Sequence, residues 1–379
     1  VASPFLVEVQ ESAVKPIEPV FLDYQKDMSQ LKAKSDIPVL YKQNVANDLF
    51  QLIYVFDMGN NHDKALGTAF DYLEYLGTSD MTPEELKSEF YRLACTFYVS
   101  PGNERTYVVL SGLNENMPAA VQLFEKLLAD AQVNKEAYTN MTSDILKARS
   151  DAKLNQGQNF SRLMSFAMYG PKSPATNLLT EAELTNMNPQ ELVDRIHNQN
   201  SYKHRILYYG PSSSKDLLAT INQYHQVPAA LKDIPAGNEY AYLETPVTKV
   251  LVAPYDAKQI YMAQISNLDK KYDPAIEPIR ALYDEYFGGG MNSIVFQEMR
   301  ETRGLAYSAW ASIMPPSYLK YPYVLRTQIA TQNDKMIDAV TTFNDIINNM
   351  PESEAAFKLA KDGLTNRLRT ERIIKGDII

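Results

Sequence analysis

Histidine is the side chain that most often holds a catalytic metal or moves a proton near neutral pH. This chain has four: His62, His197, His204 and His225. None stands in a His-x-x-Glu-His or His-x3–5-His spacing, the patterns that bring two imidazoles to one metal. They therefore read as surface or loop histidines. The single cysteine, Cys95, has no disulfide partner and sits among apolar residues, which reads as inert core. Gly288-Gly289-Gly290 could suggest a phosphate loop. No Lys-Ser/Thr follows it, so Walker chemistry is excluded, and a tight turn where backbone crosses closely fits better. Glu84-Glu85 reads as helix-start acids on a positive dipole end, not as a carboxylate dyad. Asn140-Met141-Thr142 and Asn159-Phe160-Ser161 have glycosylation spacing, but both fall in expected helices.

These residues need a scaffold, and the composition bounds it. Over 379 residues, 45% hydrophobic and 22% charged are ordinary globular values, which argues against disorder. The length favours two domains. A formal charge of −9 with no basic run excludes the basic face of a nucleic-acid binder. The 25 tyrosines suit clefts and interfaces, since each joins a large apolar body to a polar tip. No run of about 18 apolar residues is present, so no membrane span is expected. Val1 to Gln10 lacks the basic start and apolar core of a signal peptide, and no initiator Met is present. A processed or excised piece is the expectation. The location stays open, a soluble periplasmic place in a bacterium being one expectation.

An internal repeat organises the chain. Glu74-Tyr75-Leu76-Gly77 recurs as Glu285-Tyr286-Phe287-Gly288, and Leu93-Ala94-Cys95 as Leu305-Ala306-Tyr307. Tyr107-Val108-Val109-Leu110 recurs as Tyr323-Val324-Leu325-Arg326. Val121, Phe124, Leu127 and Leu128 recur as Val340, Phe343, Ile346 and Ile347. The order is kept and the offset grows only across loop positions such as Pro315-Pro316. Two copies of one fold explain this: a first over 31–224, a second over 246–379, a linker over 225–245 and an extension over 1–30. Less chain follows Gly288 than separates Gly77 from Tyr209, so the second copy is expected to be truncated.

The elements of each copy follow from pattern. In the first, Phe50–Met58 alternates as a strand and a helix runs over about 63–76. Thr82-Pro83-Glu84-Glu85 starts another helix. Strands are expected near 96–100 and 105–113, and Asn116 is expected to cap the following helix. Further helices fall over about 135–165 and after Asn188-Pro189, and a strand at 205–209. In the second copy strands are expected at 249–253, 259–266, 306–313 and 321–330, with helices over about 274–287, 293–300 and to the end. Runs of strands beside runs of helices give an α+β class, with helices on one face of a mainly antiparallel sheet.

The segment from Gly288 to Ser308, a Gly-rich turn, a helix ending in Arg300 and then Arg303-Gly304-Leu305-Ala306-Tyr307-Ser308, resembles the non-catalytic domain of the insulinase/pitrilysin (M16, inverzincin) zinc metallopeptidases. The resemblance extends more weakly from about Pro38 onward. It implies paired domains of the LuxS/MPP-like metallohydrolase type. The family carries His-x-x-Glu-His on a helix of its catalytic domain. The aligned positions in the first copy hold Thr68, Asp71 and Tyr72, and no matching Glu stands near Ser143-Asp144. The resemblance therefore implies no metal in this chain, with zinc expected on a partner half, on the same polypeptide or a separate subunit.

Within that resemblance, Arg300 and Tyr307 are the Arg/Tyr pair that reaches toward a partner's zinc site and the peptide bound there. A guanidinium and a phenol can stabilise a tetrahedral oxyanion by charge-assisted hydrogen bonds. The first copy has Ser88 or Glu89 and Cys95 at those places. The plainer reading pairs Arg300 with Glu298 or Glu301 and buries Tyr307. The implied function is the peptide-enclosing, zinc-free half of a zinc endopeptidase, inactive alone. The alternative is a structural subunit like the core proteins of respiratory complexes.

Overall fold

The computed structural model describes residues 3–12, 15 and 17–379. The expected extension over 1–30 lies partly outside those residues. Its described part holds helix α1 (Pro4–Glu11) and strand β1 (Ser29–Lys32). Then follow β2 (Pro38–Gln43), β3 (Leu49–Phe56), α2 (Leu66–Leu73), α3 (Pro83–Arg92), β4 (Cys95–Pro101) and β5 (Thr106–Leu113). Helix α4 (Met117–Asp130) leads into α5 (Lys135–Ala152), α6 (Gln156–Tyr169), α7 (Glu181–Asn186), α8 (Gln190–Asn198), β6 (Arg205–Gly210) and α9 (Ser214–Tyr224). The remainder is β7 (Gln259–Lys271), α10 (Glu277–Phe287), α11 (Ile294–Phe296), β8 (Ser308–Met314), β9 (Pro322–Gln332), α12 (Met336–Asn348) and α13 (Glu354–Thr370). Helix α11 runs on as a π-helical turn over Gln297–Thr302. The class is α+β.

The chain forms two compact units. The larger holds Asp23–Tyr272, Met314–Leu325 and Ile374–Ile379; the smaller is built on Asp273–Ile313 and Arg326–Ile373. The succession strand, helix, helix, strand, strand, helix, helix occurs from β3 to α5 and again from β7 to α13.

In the larger unit six strands lie in the order β1-β2-β6-β3-β5-β4. Strands β2 and β6 run parallel, Val39 opposite Ile206, and the other neighbours are antiparallel. Because side chains alternate along a strand, Phe50, Leu52, Tyr54 and Phe56 of β3 all enter one core. Val108 and Leu110 of β5 and Ile206 and Tyr208 of β6 join them. Helices α2, α4, α8 and α9 cover that face with Leu66, Val121, Phe124, Val193 and Ile221. Thr82 makes the expected helix start as a reciprocal capping box with Glu85, at 3.2 and 2.8 Å.

In the smaller unit Phe287, Val295, Met299, Ala311, Phe343 and Ile346 are buried, and β8 neighbours β9. The Gly-rich turn is a close backbone crossing at one position. A Cβ on Gly288 would sit 2.3 Å from the carbonyl oxygen and 2.4 Å from the amide nitrogen of Ala311. Gly290 has no such constraint, its nearest neighbour being the Glu285 side chain at 3.6 Å.

Two expectations are corrected. Asn116 does not cap α4; its side-chain amide donates instead to the Leu93 carbonyl at 2.8 Å. Residues 249–253 do not form a strand, and Val250 and Val252 are 82% and 76% exposed. A strand exists through its neighbour's hydrogen bonds, and the matching β2 of the first copy has both β1 and β6 beside it.

Candidate functional site

Arg300 sits in the π-helical turn that ends α11. The turn closes on the Arg300 carbonyl, which accepts from Gly304 N–H at 3.1 Å, and on the Met299 carbonyl, which accepts from Leu305 and Ala306. Gly304 adopts φ +57, a left-handed conformation that glycine takes without strain. Tyr307 follows, its N–H donating to the Ala330 carbonyl of β9 at 2.8 Å. Its backbone is thus fixed while its side chain is 72% exposed. The Arg300 guanidinium carbon lies 5.7 Å from the Tyr307 ring centroid and 5.0 Å from that of Phe296. At those distances the cation is held against both aromatic faces.

Tyr307 is therefore not a core residue, which overturns half of the plainer reading. The other half holds weakly. Arg300 Nε approaches Glu301 Oε1 at 3.5 Å, with both side chains about half exposed. Such a solvated pair is worth little. Glu298 pairs with Arg303 instead, at 3.2 Å. The arrangement presents a guanidinium over the ring of an exposed phenol. These are two donors suited to a negatively charged oxygen.

Thr68, Asp71 and Tyr72 lie along α2 but do not converge on a metal-sized space. Tyr72 is fully buried. Its hydroxyl donates to the Asn134 carbonyl at 2.6 Å and accepts from the Asn134 N–H at 2.9 Å, at the start of α5. Both of its bonding directions are taken by backbone. Asp71 is exposed and Thr68 half-buried. Asp144, beside the place where a distal ligand would fall, is also exposed. The zinc of the resembled peptidases does not fit this donor set, since zinc takes several N, S or O ligands at bonding distance. Among the described residues no three His, Cys, Asp or Glu side chains are grouped to hold a metal ion.

The histidines divide. His197 is exposed and His62 half-buried, its Nδ1 accepting from the Gly59 N–H at 3.1 Å. His204 and His225 are buried, at 7% and 0% exposure, which corrects their reading as surface or loop residues. They join Glu125, itself 1% exposed, in one polar cluster. A local signal existed. Glu125 lies one turn after Val121 on the buried side of α4, and His225 continues the buried Leu217 and Ile221 at a spacing of four.

With the fold and this geometry in place, the chain can be set beside known proteins. The family described as peptidase M16 inactive domain matches residues 206–364. An uncharacterized zinc protease of Rickettsia felis is 20% identical over 263 residues, covering 66% of this chain. This chain spans 60% of that relative's length. The crystal structure of a peptidase M16 inactive domain from Pseudomonas fluorescens matches with a TM-score of 0.68 at 17% identity, over 89% of this chain and 83% of that one. The periplasmic protease PqqL of Escherichia coli matches with a TM-score of 0.76 at 14% identity, over 96% of this chain and 41% of PqqL. Residues 206–364 thus match the M16 inactive domain, and the fold is that of a solved M16 inactive domain. No helix among the described residues is long and apolar enough to cross a membrane.

Proposed function

We propose that this chain is the zinc-free half of an M16-type endopeptidase, enclosing peptide substrate against a zinc-bearing partner half and lending it Arg300 and Tyr307. The observation that carries the reading is the pairing of the Arg300 guanidinium with an exposed Tyr307. A side chain 72% exposed contributes little to folding, so the backbone turn that fixes it asks for another use. When a peptide carbonyl is attacked, its oxygen gains negative charge. A guanidinium and a phenol already held together stabilise that charge without reorganising. The partner half would supply the metal and the attacking water. The internal duplication supports the same reading, because the first copy lacks both residues. A periplasmic setting, that of PqqL, is compatible with it.

The test is reconstitution. Combining this chain with its zinc-bearing half is expected to give cleavage of a quenched peptide that neither half gives alone. Tyr307→Phe and Arg300→Ala are expected to lower turnover more than they weaken peptide binding. An assembly without peptidase activity, or one indifferent to both substitutions, would favour the structural-subunit reading.

A further inference from the structure

Glu125, His204 and His225 come from three parts of the larger unit and meet out of contact with water. Glu125 lies within α4, His204 directly precedes β6, and His225 ends α9 and opens the linker. Their bonds fix where the hydrogens are. The Tyr202 carbonyl, 2.7 Å from His204 Nδ1, can only accept, so that nitrogen carries a hydrogen. The two Nε2 atoms face each other at 2.8 Å, which holds one hydrogen between them. Glu125 accepts from Gln226 N–H at 2.9 Å and Asn200 Nδ2 at 3.0 Å through Oε2. Its Oε1 lies 2.6 Å from His225 Nδ1, again with one hydrogen between. The count leaves three hydrogens among the four ring nitrogens and the carboxyl group, so the cluster as a whole is neutral. A further hydrogen on His204 would set N–H against N–H across 2.8 Å.

We propose that this cluster is an acid-released clasp: protonation of His204 in mild acid parts the two rings and frees the start of the linker, residues 226–234, from α4. Few titratable groups face the rings. They are Glu125 from α4 and Tyr54 from β3, whose ring lies 4.4 Å from that of His225. Burial, then Glu125, pushes the Tyr54 phenol well above its ordinary value, so it stays neutral. Phe56 and Asn200 complete the surround without charge. Lys203 turns outward to pair with Asp233. The linker's other ties lie next to the clasp: Lys232 N–H donates to the Ser201 carbonyl and Lys203 N–H to the Lys232 carbonyl, both at 2.8 Å. These bracket Tyr202, the acceptor for His204.

Burial, with His225 as the next cause, lowers His204 from 6.5 to about 4. The unfolded or opened chain takes up its proton near 6.5 and the closed one near 4. Between those values the open state binds more protons, so closure weakens as pH falls through the window.

Hydrogen exchange of amides 226–234 in the full chain, corrected for intrinsic pH dependence, tests this. The opening constant is expected to rise by up to about tenfold per pH unit below 6.5. His204→Gln, which can still accept from His225 but cannot titrate, is expected to remove that slope. Equal slopes in both proteins would overturn the proposal. Should His204→Gln not fold, the imidazole nitrogen shifts of the unaltered protein at pH 7 decide. A hydrogen on Nδ1 of His204 and none on its Nε2 support the clasp. A hydrogen on Nε2 of His204, or stoichiometric metal held between the two Nε2 atoms, overturns it.

Discussion

Tyr72 and Asn134 are bonded twice, the phenol donating to the Asn134 carbonyl and accepting from its amide. Asn134 in turn caps α5, its Oδ1 accepting from Ala137 N–H at 3.0 Å. Tyr72, which the sequence resemblance aligns with a metal-ligand position, is a joint between α2 and α5. Tyr72→Phe strips both backbone groups of their partner in a buried place. Each such loss costs about 1–3 kcal/mol, so a total of about 2–6 kcal/mol is expected as a lower urea midpoint at unchanged m-value.

Metal removal is expected to change nothing in this chain. Tyr72 is committed to Asn134 and the donor set at α2 does not converge, so EDTA should leave the thermal midpoint where it was. A chelator-induced drop, restored by zinc, would show that ligands had been misassigned.

Gly288→Ala and Gly290→Ala should differ sharply. The first drives a methyl into the Ala311 backbone at 2.3 Å, and backbone cannot swing away as a side chain end can. A loss of about 1–3 kcal/mol or more is expected, against less than about 0.5 kcal/mol for the second. Parallel denaturant titrations of the two variants would settle it.

Tyr307→Phe separates folding from function. The side chain is 72% exposed, so unfolding free energy should move by less than about 0.5 kcal/mol. In an active assembly the lost donor is expected to lower turnover about 10²–10³-fold. Arg300→Ala should lose at least as much, because charge goes with the donors. Stability that fell while turnover held would assign the pair a packing role instead.

Much of this was legible in the sequence because it is local. Thr82-Pro83-Glu84-Glu85 announces a helix start within four residues, and the capping box is there. Phe50 to Phe56 alternates as a half-buried strand must, and it is one. The Arg303-Gly304-Leu305-Ala306-Tyr307 run placed a glycine where the backbone needs positive φ. What escaped depends on distant neighbours. His204 is buried by Tyr54, Phe56 and Glu125, none of which lies near it in sequence. Residues 249–253 have the apolar pattern of a strand and lack one only because no strand lies alongside.

That bare run, Lys249-Val250-Leu251-Val252-Ala253, bears on handling the protein at high concentration. It is exposed and holds two β-branched valines, with one charge and no proline until Pro254. Two molecules can satisfy it by pairing with each other, the route by which unguarded strands start amyloid-like association. Concentrated solutions of this chain alone are therefore expected to scatter light progressively. Val250→Lys with Val252→Lys should keep them clear without altering the fold, because both side chains already lie in water.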